Sequence, residues 1–359
     1  MSTSPPIRRR RVTLKDVALR AEVNAASVSA ILNGSKLNTS VASSTRERIL
    51  NAAQELGYQV NPHAQRLASG GCSNTVAIFM GMDLGIATLK LWALQHHLDE
   101  AGYEAELHGK PRYVAHEEEY QVAQLQRLVG QRPRAVIFTP FGLADAALAV
   151  LRRYQDEGGA LICFDGESEF PCDQVIYDEE DGGYQAARHL IELGHESIGY
   201  CQHSSEGEVT GPRLQGFERA LCEAGLQTRR DWLFTHCCYE AGGMRFAREF
   251  LQLKNRPTGV LIVNDMAAAA FVHALFREGA LVPDLVSVIG QDGIAAAENC
   301  VVPLSTVAQP VEALAAHTVE MLEHRLKNDG APPQRARFKG DLIARASTST
   351  PAAVKVMTK

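Results

Sequence analysis

Val12-Thr13-Leu14-Lys15-Asp16-Val17-Ala18-Leu19-Arg20-Ala21-Glu22-Val23-Asn24-Ala25-Ala26-Ser27-Val28-Ser29-Ala30-Ile31-Leu32-Asn33-Gly34 is the stretch that decides how this chain begins to fold. Thr13 precedes Leu14, Val17, Ala18 and Ala21, an apolar face at helical spacing, and Asp16 completes a Thr-x-x-Asp cap. Glu22-Val23 makes a turn. Asn24 then caps a second helix running through Val28, Ile31 and Leu32 to the stop signal Asn33-Gly34. Two short helices this close together have helix-turn-helix spacing, in which the second helix enters the major groove of DNA. A third helix follows. Ser44-x-x-Glu47 caps it, Ile49, Ala52, Ala53 and Leu56 face inward, and Gly57 ends it.

Beyond this head lies Asn61-Pro62-His63-Ala64-Gln65-Arg66-Leu67-Ala68-Ser69-Gly70. Asn61 caps, Pro62 takes the first helical position and Gly70 terminates, which leaves barely two turns. So short a helix is marginal in water and folds when a partner holds it. That makes it a candidate switch, with a plain interdomain linker as the alternative reading.

The formal charge of −6 conceals an asymmetry, because residues 1–70 sum to +6 and residues 71–359 to −12. A basic head on an acidic body suits phosphate contact at one end and repulsion of DNA elsewhere. The run Arg8-Arg9-Arg10-Arg11 supplies four of those charges and has no apolar segment behind it, so it does not read as a secretory leader. The eight cysteines show no CxxC pair and no zinc spacing, which suits reduced thiols in a cytoplasmic protein without a metal or other cofactor. No apolar run has the length of a membrane span.

After Gly71 the pattern becomes apolar strands alternating with helices. Strands are expected at residues 75–80, 134–139, 160–164, 197–200, 259–263 and 286–290, with a helix around Leu89–Ala101 and a solvated helix start at Glu117-Glu118-Glu119. This spacing gives an α/β body of doubly wound parallel sheets. Ligands in such sheets bind outside the carboxyl ends of the strands, where Asp165, Asn264-Asp265 and Asp292 fall. Asp265 reads as a cap for the helix beginning at Met266. His96-His97 and the pair His189 and His195 do not have metal-ligand spacing.

The chain resembles the lactose-repressor/galactose-repressor family of bacterial transcription regulators. The head carries this through Val12–Ala18, Val28-Ser29, Leu32-Asn33-Gly34, Thr45-Arg46-Glu47-Arg48-Ile49, Leu56-Gly57-Tyr58 and Asn61–Leu67. The body carries it through Glu180-Asp181-Gly182-Gly183, the His189–His195 segment, Arg213-x-x-Gly216-Phe217, Asn264-Asp265, Ser287–Gly290 and Pro303–Val307. The resemblance implies a helix-turn-helix domain at 12–60, a hinge helix at 61–71 and an effector-binding and dimerisation domain at 74–346. It implies a periplasmic-binding-protein-like body with one lobe about 74–164 and 293–326, and another about 165–292 and 327–346. The lobes would be joined by crossings near Phe164-Asp165, Gln291-Asp292 and Asn299–Thr306.

The resemblance also implies functional residues. A homodimer would bind a pseudo-palindromic double-stranded DNA operator through Thr13, Asn24, Ala25, Ala26, Ser27, Ser29, Ala30, Asn33, Lys36, Asn38, Thr45, Tyr58, Asn61, Ala64, Arg66 and Leu67. Leu67 would wedge between base pairs in the minor groove. Arg213, Asn264 and Asp292, with Asp165 close by, would line the cleft for a small-molecule effector. A sugar or sugar derivative is the first expectation and a nucleoside or purine the second.

Two departures matter. Ala25, Ala26 and Ala30 stand where base-contacting side chains are usual, and a methyl group cannot form a bidentate hydrogen bond. Readout is therefore expected to shift toward Ser27, Ser29, Asn33, Lys36, Asn38 and the hinge, with more reading of DNA shape. In the body, Gln291-Asp292-Gly293 replaces a more usual aromatic-acidic trio, and Tyr239 is a candidate for an aromatic that stacks on the ligand. The chain thus reads as an allosteric DNA-binding regulator, most simply a repressor. A transporter's solute-binding protein would share the body but not the head. An enzyme would need a phosphate loop, nucleophile elbow or metal spacing that the sequence does not show.

Overall fold

The computed structural model describes residues 12–32, 42–58, 74–81, 85–110, 116–202, 210–235 and 239–351. Two compact units divide after Ser73. In the first, α1 (Leu14–Arg20), α2 (Ala25–Leu32) and α3 (Ser43–Leu56) enclose a core of Val17, Ala18, Ala21, Val28, Ile31, Ile49, Ala52 and Ala53. Thr13 and Asp16 form the capping box, with the Thr13 amide donating to Asp16 Oδ2 at 2.7 Å and the Asp16 amide to Thr13 Oγ1 at 3.4 Å. The Asn24 side chain accepts from the Ser27 amide at 2.7 Å, and Gly57 closes α3 in the left-handed conformation at φ 63°. The expected Ser44/Glu47 cap is not there. Helix α3 starts two residues earlier, at Ser43, with Ala42 at its cap position and no side-chain hydrogen bond.

The second unit holds two six-stranded sheets flanked by helices. The first lobe contains β1 (Thr75–Gly81), β2 (Glu104–Lys110), β3 (Ala135–Phe138), β4 (Ala160–Phe164), β5 (Asp173–Tyr177) and the late strand β11 (Arg335–Phe338), all parallel, in the order β11-β5-β4-β3-β1-β2. Alternate residues of β1 enter opposite cores, as expected of a sheet covered on both faces. Val76, Ile78 and Met80 pack under α4 (Ile86–Glu100) and α12 (Val311–Lys327), while Ala77 and Phe79 meet α5 (Glu117–Gly130) and α6 (Asp145–Asp156).

The second lobe orders its strands β12-β10-β9-β8-β6-β7. They are β6 (Ile198–Cys201), β7 (Leu233–Phe234), β8 (Gly259–Ile262), β9 (Ser287–Asp292), β10 (Ser305–Ala308) and an antiparallel β12 (Asp341–Ile343). Helices α7 (Glu179–Glu192) and α8 (Thr210–Glu223) cover one face, and α9 (Tyr239–Gln252) and α10 (Asp265–Arg277) the other, with the short α11 (Ala295–Glu298) beside α10.

This topology corrects the expected lobe boundaries and crossings. The chain does not leave the first sheet at Phe164-Asp165, because β5 pairs in parallel with β4 through Ile162 and Asp173. It crosses after Tyr177. The return is not at Gln291-Asp292 or within Asn299–Thr306 but after Ala308, since β10 is bonded to β9. The last crossing is the two-residue link Lys339-Gly340 between β11 and β12. The first lobe therefore comprises 74–177 and 311–338, and the second 178–308 and the segment from 341. Strand β5 escapes an apolar-run reading because it opens with Asp173-Gln174. Both are buried, and Asp173 is held by Arg325 of α12 through bonds of 2.7 and 2.8 Å.

Candidate functional site

In the head, the turn between α1 and α2 needs a left-handed residue, Glu22 at φ 53°. Arg48 of α3 fixes it by donating to the carbonyls of Ala21 at 2.8 Å and Glu22 at 3.3 Å. These bonds satisfy carbonyls at the end of α1 and set α2 relative to its supporting helix. Thr13, Asn24 and Ala26 are exposed, and Ala25, Ser27, Ser29, Thr45 and Tyr58 are half-buried. Ala30 departs from the expectation. It is 7% exposed, on the same turn of α2 as Val28 and Ile31, which enter the core. Ala26 is thus the one exposed methyl of the three alanines. Asn33, Lys36, Asn38, Asn61, Ala64, Arg66 and Leu67, the arginine run and the hinge segment lie outside the described residues.

In the body, strand ends converge between the lobes. Asp165 follows β4 and Tyr177 ends β5, while Lys90 reaches in from α4. From the second lobe come Glu179 at the start of α7, Arg213 in the first turn of α8, Asn264 and Asp265 at the start of α10, Gln291 and Asp292 at the end of β9, and Gln309 after β10. All ten are buried. Asp165 and Asp292 hold left-handed backbones at φ 69° and 115°. A non-glycine residue at such angles costs about 1–3 kcal/mol, which concentrates at sites where a side chain must be aimed.

The electrostatics are organised in pairs. Lys90, only 1% exposed, forms an ion pair with Asp165, and its ammonium lies 5.9 Å from the centre of the Tyr177 ring. Arg213 grips Glu179 with two nitrogens, one through Nε and the other from Nη2 at 3.2 Å, while Nη1 donates to the Val263 carbonyl. Its Nη2 also lies 3.7 Å from Asp292 Oδ1, which accepts from Gln309 Nε2 at 2.9 Å. Burial pushes the Glu179 and Asp292 carboxyls up, and Arg213 pulls both back. For Glu179 the two-point fork favours the ion pair as a unit. Burial also raises the Tyr177 hydroxyl well above its usual range, with Glu179 adding to it.

The resemblance assigns Arg213 to the effector, yet its fork is turned to Glu179 and the backbone. Asn264, not Asp265, caps α10, accepting from the Ala267 amide at 2.8 Å. Asp265 occupies the first helical position, and its carboxylate accepts from the amides of Gly293 at 2.7 Å and Ile294 at 3.0 Å and from Thr306 Oγ1 at 2.7 Å. It therefore clamps the turn that presents Asp292. Tyr239 begins α9 at φ 49° and is half-buried. His189 and His195 bind the C-terminal segment, through Thr348 Oγ1 at 2.8 Å and the Ser349 carbonyl at 2.9 Å.

Lys90, Tyr177, Glu179 and Gln309 were not singled out from sequence, and Gln291 stood out only as a departure from the family's usual trio. Lys90 left one signal, a lysine directly before Leu91 and four residues before Leu94 on the buried side of α4. Glu179 is masked by the acidic run Glu179-Glu180-Asp181, which looks like an ordinary solvated helix start.

Among known proteins, the family model "Bacterial regulatory proteins, lacI family" matches residues 13–61, and "Periplasmic binding protein-like domain" matches residues 187–348. The transcriptional repressor PurR of Photobacterium profundum is 30% identical over 341 residues, covering 93% of this chain and 98% of the relative. The transcriptional regulator DegA of Bacillus subtilis is 28% identical over 345 residues, covering 94% and 98%. A solved complex of the regulator CelR with cellobiose is 26% identical with a TM-score of 0.68, covering 94% of this chain and all of that one. The Lac repressor dimer bound to operator and the anti-inducer ONPF shares the fold at 23% identity and a TM-score of 0.80, covering 95% of this chain and 100% of that one.

Proposed function

The chain belongs to the lacI family of bacterial regulatory proteins, and we propose that within it this member is a repressor governed by a small molecule held between its two lobes. As a member of that family it is a DNA-binding transcriptional regulator with an effector-binding domain, and not an enzyme. The observation that carries the proposal is a basic head built as a capped helix-turn-helix on the same chain as converging buried polar groups between two lobes.

Three crossings join the lobes, so they can rotate about few bonds. An effector shifts that equilibrium only through different affinities for the two arrangements. A sugar or sugar derivative is the favoured effector, supported by the cellobiose bound to one relative. A nucleoside or purine is the second choice.

The operator is read as pseudo-palindromic double-stranded DNA bound by a homodimer in the cytoplasm. A sedimentation mass near four subunits would contradict the dimer.

The test of function is operator selection from random duplex DNA, followed by titration of the selected duplex at two salt concentrations. Affinity should fall steeply with salt, because phosphate contacts release counterions. Salt-independent binding, or no selected sequence, would refute the proposal. Strong preferences at bases facing Ala26 would refute the expected shift of readout away from the alanines.

A further inference from the structure

Among the described residues that converge between the lobes, the charges do not balance. Lys90 is matched by Asp165, but Arg213 faces two carboxylates, Glu179 in its two-point fork and Asp292 more loosely at 3.7 Å, so three acids share two cations and Asp292 is the least neutralised. Asp265 is a further acid, but three hydrogen-bond donors inside the fold saturate it. The pairs at the crossings supply no spare cation, since Lys339 meets Asp181 and Arg337 meets both Glu167 and Asp178.

Polar capacity is also left over around this carboxylate. The Tyr177 hydroxyl, both ends of the Gln291 amide and the Gln309 carbonyl are buried without a hydrogen-bond partner among the described residues. They lie together. A Cβ on Gly182 would sit 2.8 Å from the Tyr177 hydroxyl and 3.1 Å from Gln291 Oε1, and Gln309 already touches Asp292. Buried polar groups left unpaired are costly, so a cluster of them marks a place that a polar ligand completes.

Resting on the reading of this cleft as the effector site, we propose that the effector is a polar small molecule bearing an amine. The amine's positive charge sits on Asp292, while its hydroxyls meet Tyr177, Gln291 and Gln309. An amino sugar has that chemistry. A phosphate or carboxylate does not, because both cations already have partners and the surplus charge is negative. Burial pushes the Asp292 carboxyl up, so its charge is costly without a full cation partner, and that cost grows as pH rises.

One arm of the test needs no ligand. Thermal melting of the full chain at pH 8.5 should show Asp292→Asn more stable than the parent, with the gain shrinking at pH 6. The amide keeps an oxygen for Gln309 and removes the least neutralised charge. Glu179→Gln should melt lower, because it strips Arg213 of its partner. A loss for Asp292→Asn like that of Glu179→Gln would mean that Asp292 balances Arg213, which overturns the inference.

The second arm compares D-glucosamine, D-glucose and D-glucose 6-phosphate at pH 7. The amine should bind about tenfold more tightly than the neutral sugar or better, and lose that margin in Asp292→Asn. Tighter binding of the phosphate, abolished by the cleft variants, overturns the amine alone. Binding that Asp292→Asn and Tyr177→Phe both leave intact places the ligand elsewhere and overturns the reading of the cleft itself.

Discussion

Replacing Gly216 by alanine should destabilise the body even though alanine is the better helix former. Gly216 lies inside α8 where that helix presses on α7. A Cβ there would overlap the Glu180 carbonyl oxygen and fall 2.8 Å from both the Glu180 carbonyl carbon and the Tyr184 amide nitrogen. Backbone cannot swing aside like a side chain, so the helices must part by roughly 1 Å to restore ordinary contact. Overpacking of this kind costs about 1–3 kcal/mol, against a propensity gain of about 0.5–1 kcal/mol. The net loss is on the order of 1–2 kcal/mol, or about 2–8 °C in melting temperature for a body of this size. Gly211, in the first turn of the same helix, supplies the control, because a Cβ there meets nothing within 4 Å. Gly211→Ala should raise the melting temperature by about 1–4 °C. Differential scanning calorimetry of the two variants and the parent reads both signs. Gly216→Ala equal to or above the parent would refute the close approach of α7 and α8, and with it the account of how Arg213, one turn earlier, is placed on Glu179.

Thr13→Ala removes the side-chain half of the capping box on α1, a loss of about 1 kcal/mol that should speed amide hydrogen exchange at Val17 and Ala18 roughly fivefold. Unchanged exchange would show that the cap does not hold α1. His195 is buried, and burial lowers its pKa, so the folded protein binds fewer protons than the unfolded chain below the ordinary value of 6.5. Its neutral form therefore contributes stability that is present above pH 6.5 and lost as pH falls toward the folded pKa. The melting temperature should accordingly drop more steeply between pH 7.5 and 5 for the parent than for His195→Gln, and parallel curves would count against that role.

The glycines show how a motif can be visible before its reason is. Gly182-Gly183 and Arg213-x-x-Gly216 stand out in the sequence, but only packing explains them. A Cβ on Gly183 would overlap the Arg213 carbonyl just as one on Gly216 overlaps that of Glu180. Elements with local signals were legible in advance. The apolar runs that became β1, β3, β4, β6, β8 and β9 are of this kind, as is the Thr13 capping box. Strands β5 and β11 were not. Asp173-Gln174 is polar and buried because Arg325, 152 residues away, meets it, and Arg335–Phe338 alternates exposed and half-buried residues at a sheet edge.

The sequence by itself determined the class of this protein. Helix caps, turns and apolar periodicity are short-range physics, written within a few residues of where they act, and they were enough for a helix-turn-helix head on an α/β body of parallel sheets, whose division into two lobes came from the family resemblance. The tertiary structure decided where the lobes divide and which charges meet between them. Lys90 with Asp165, Arg213 with Glu179 and the Asp292 that shares Arg213 come from separate elements of two lobes, and burial makes their pairing consequential. That pairing depends on distances across the fold, which no local pattern in the chain records.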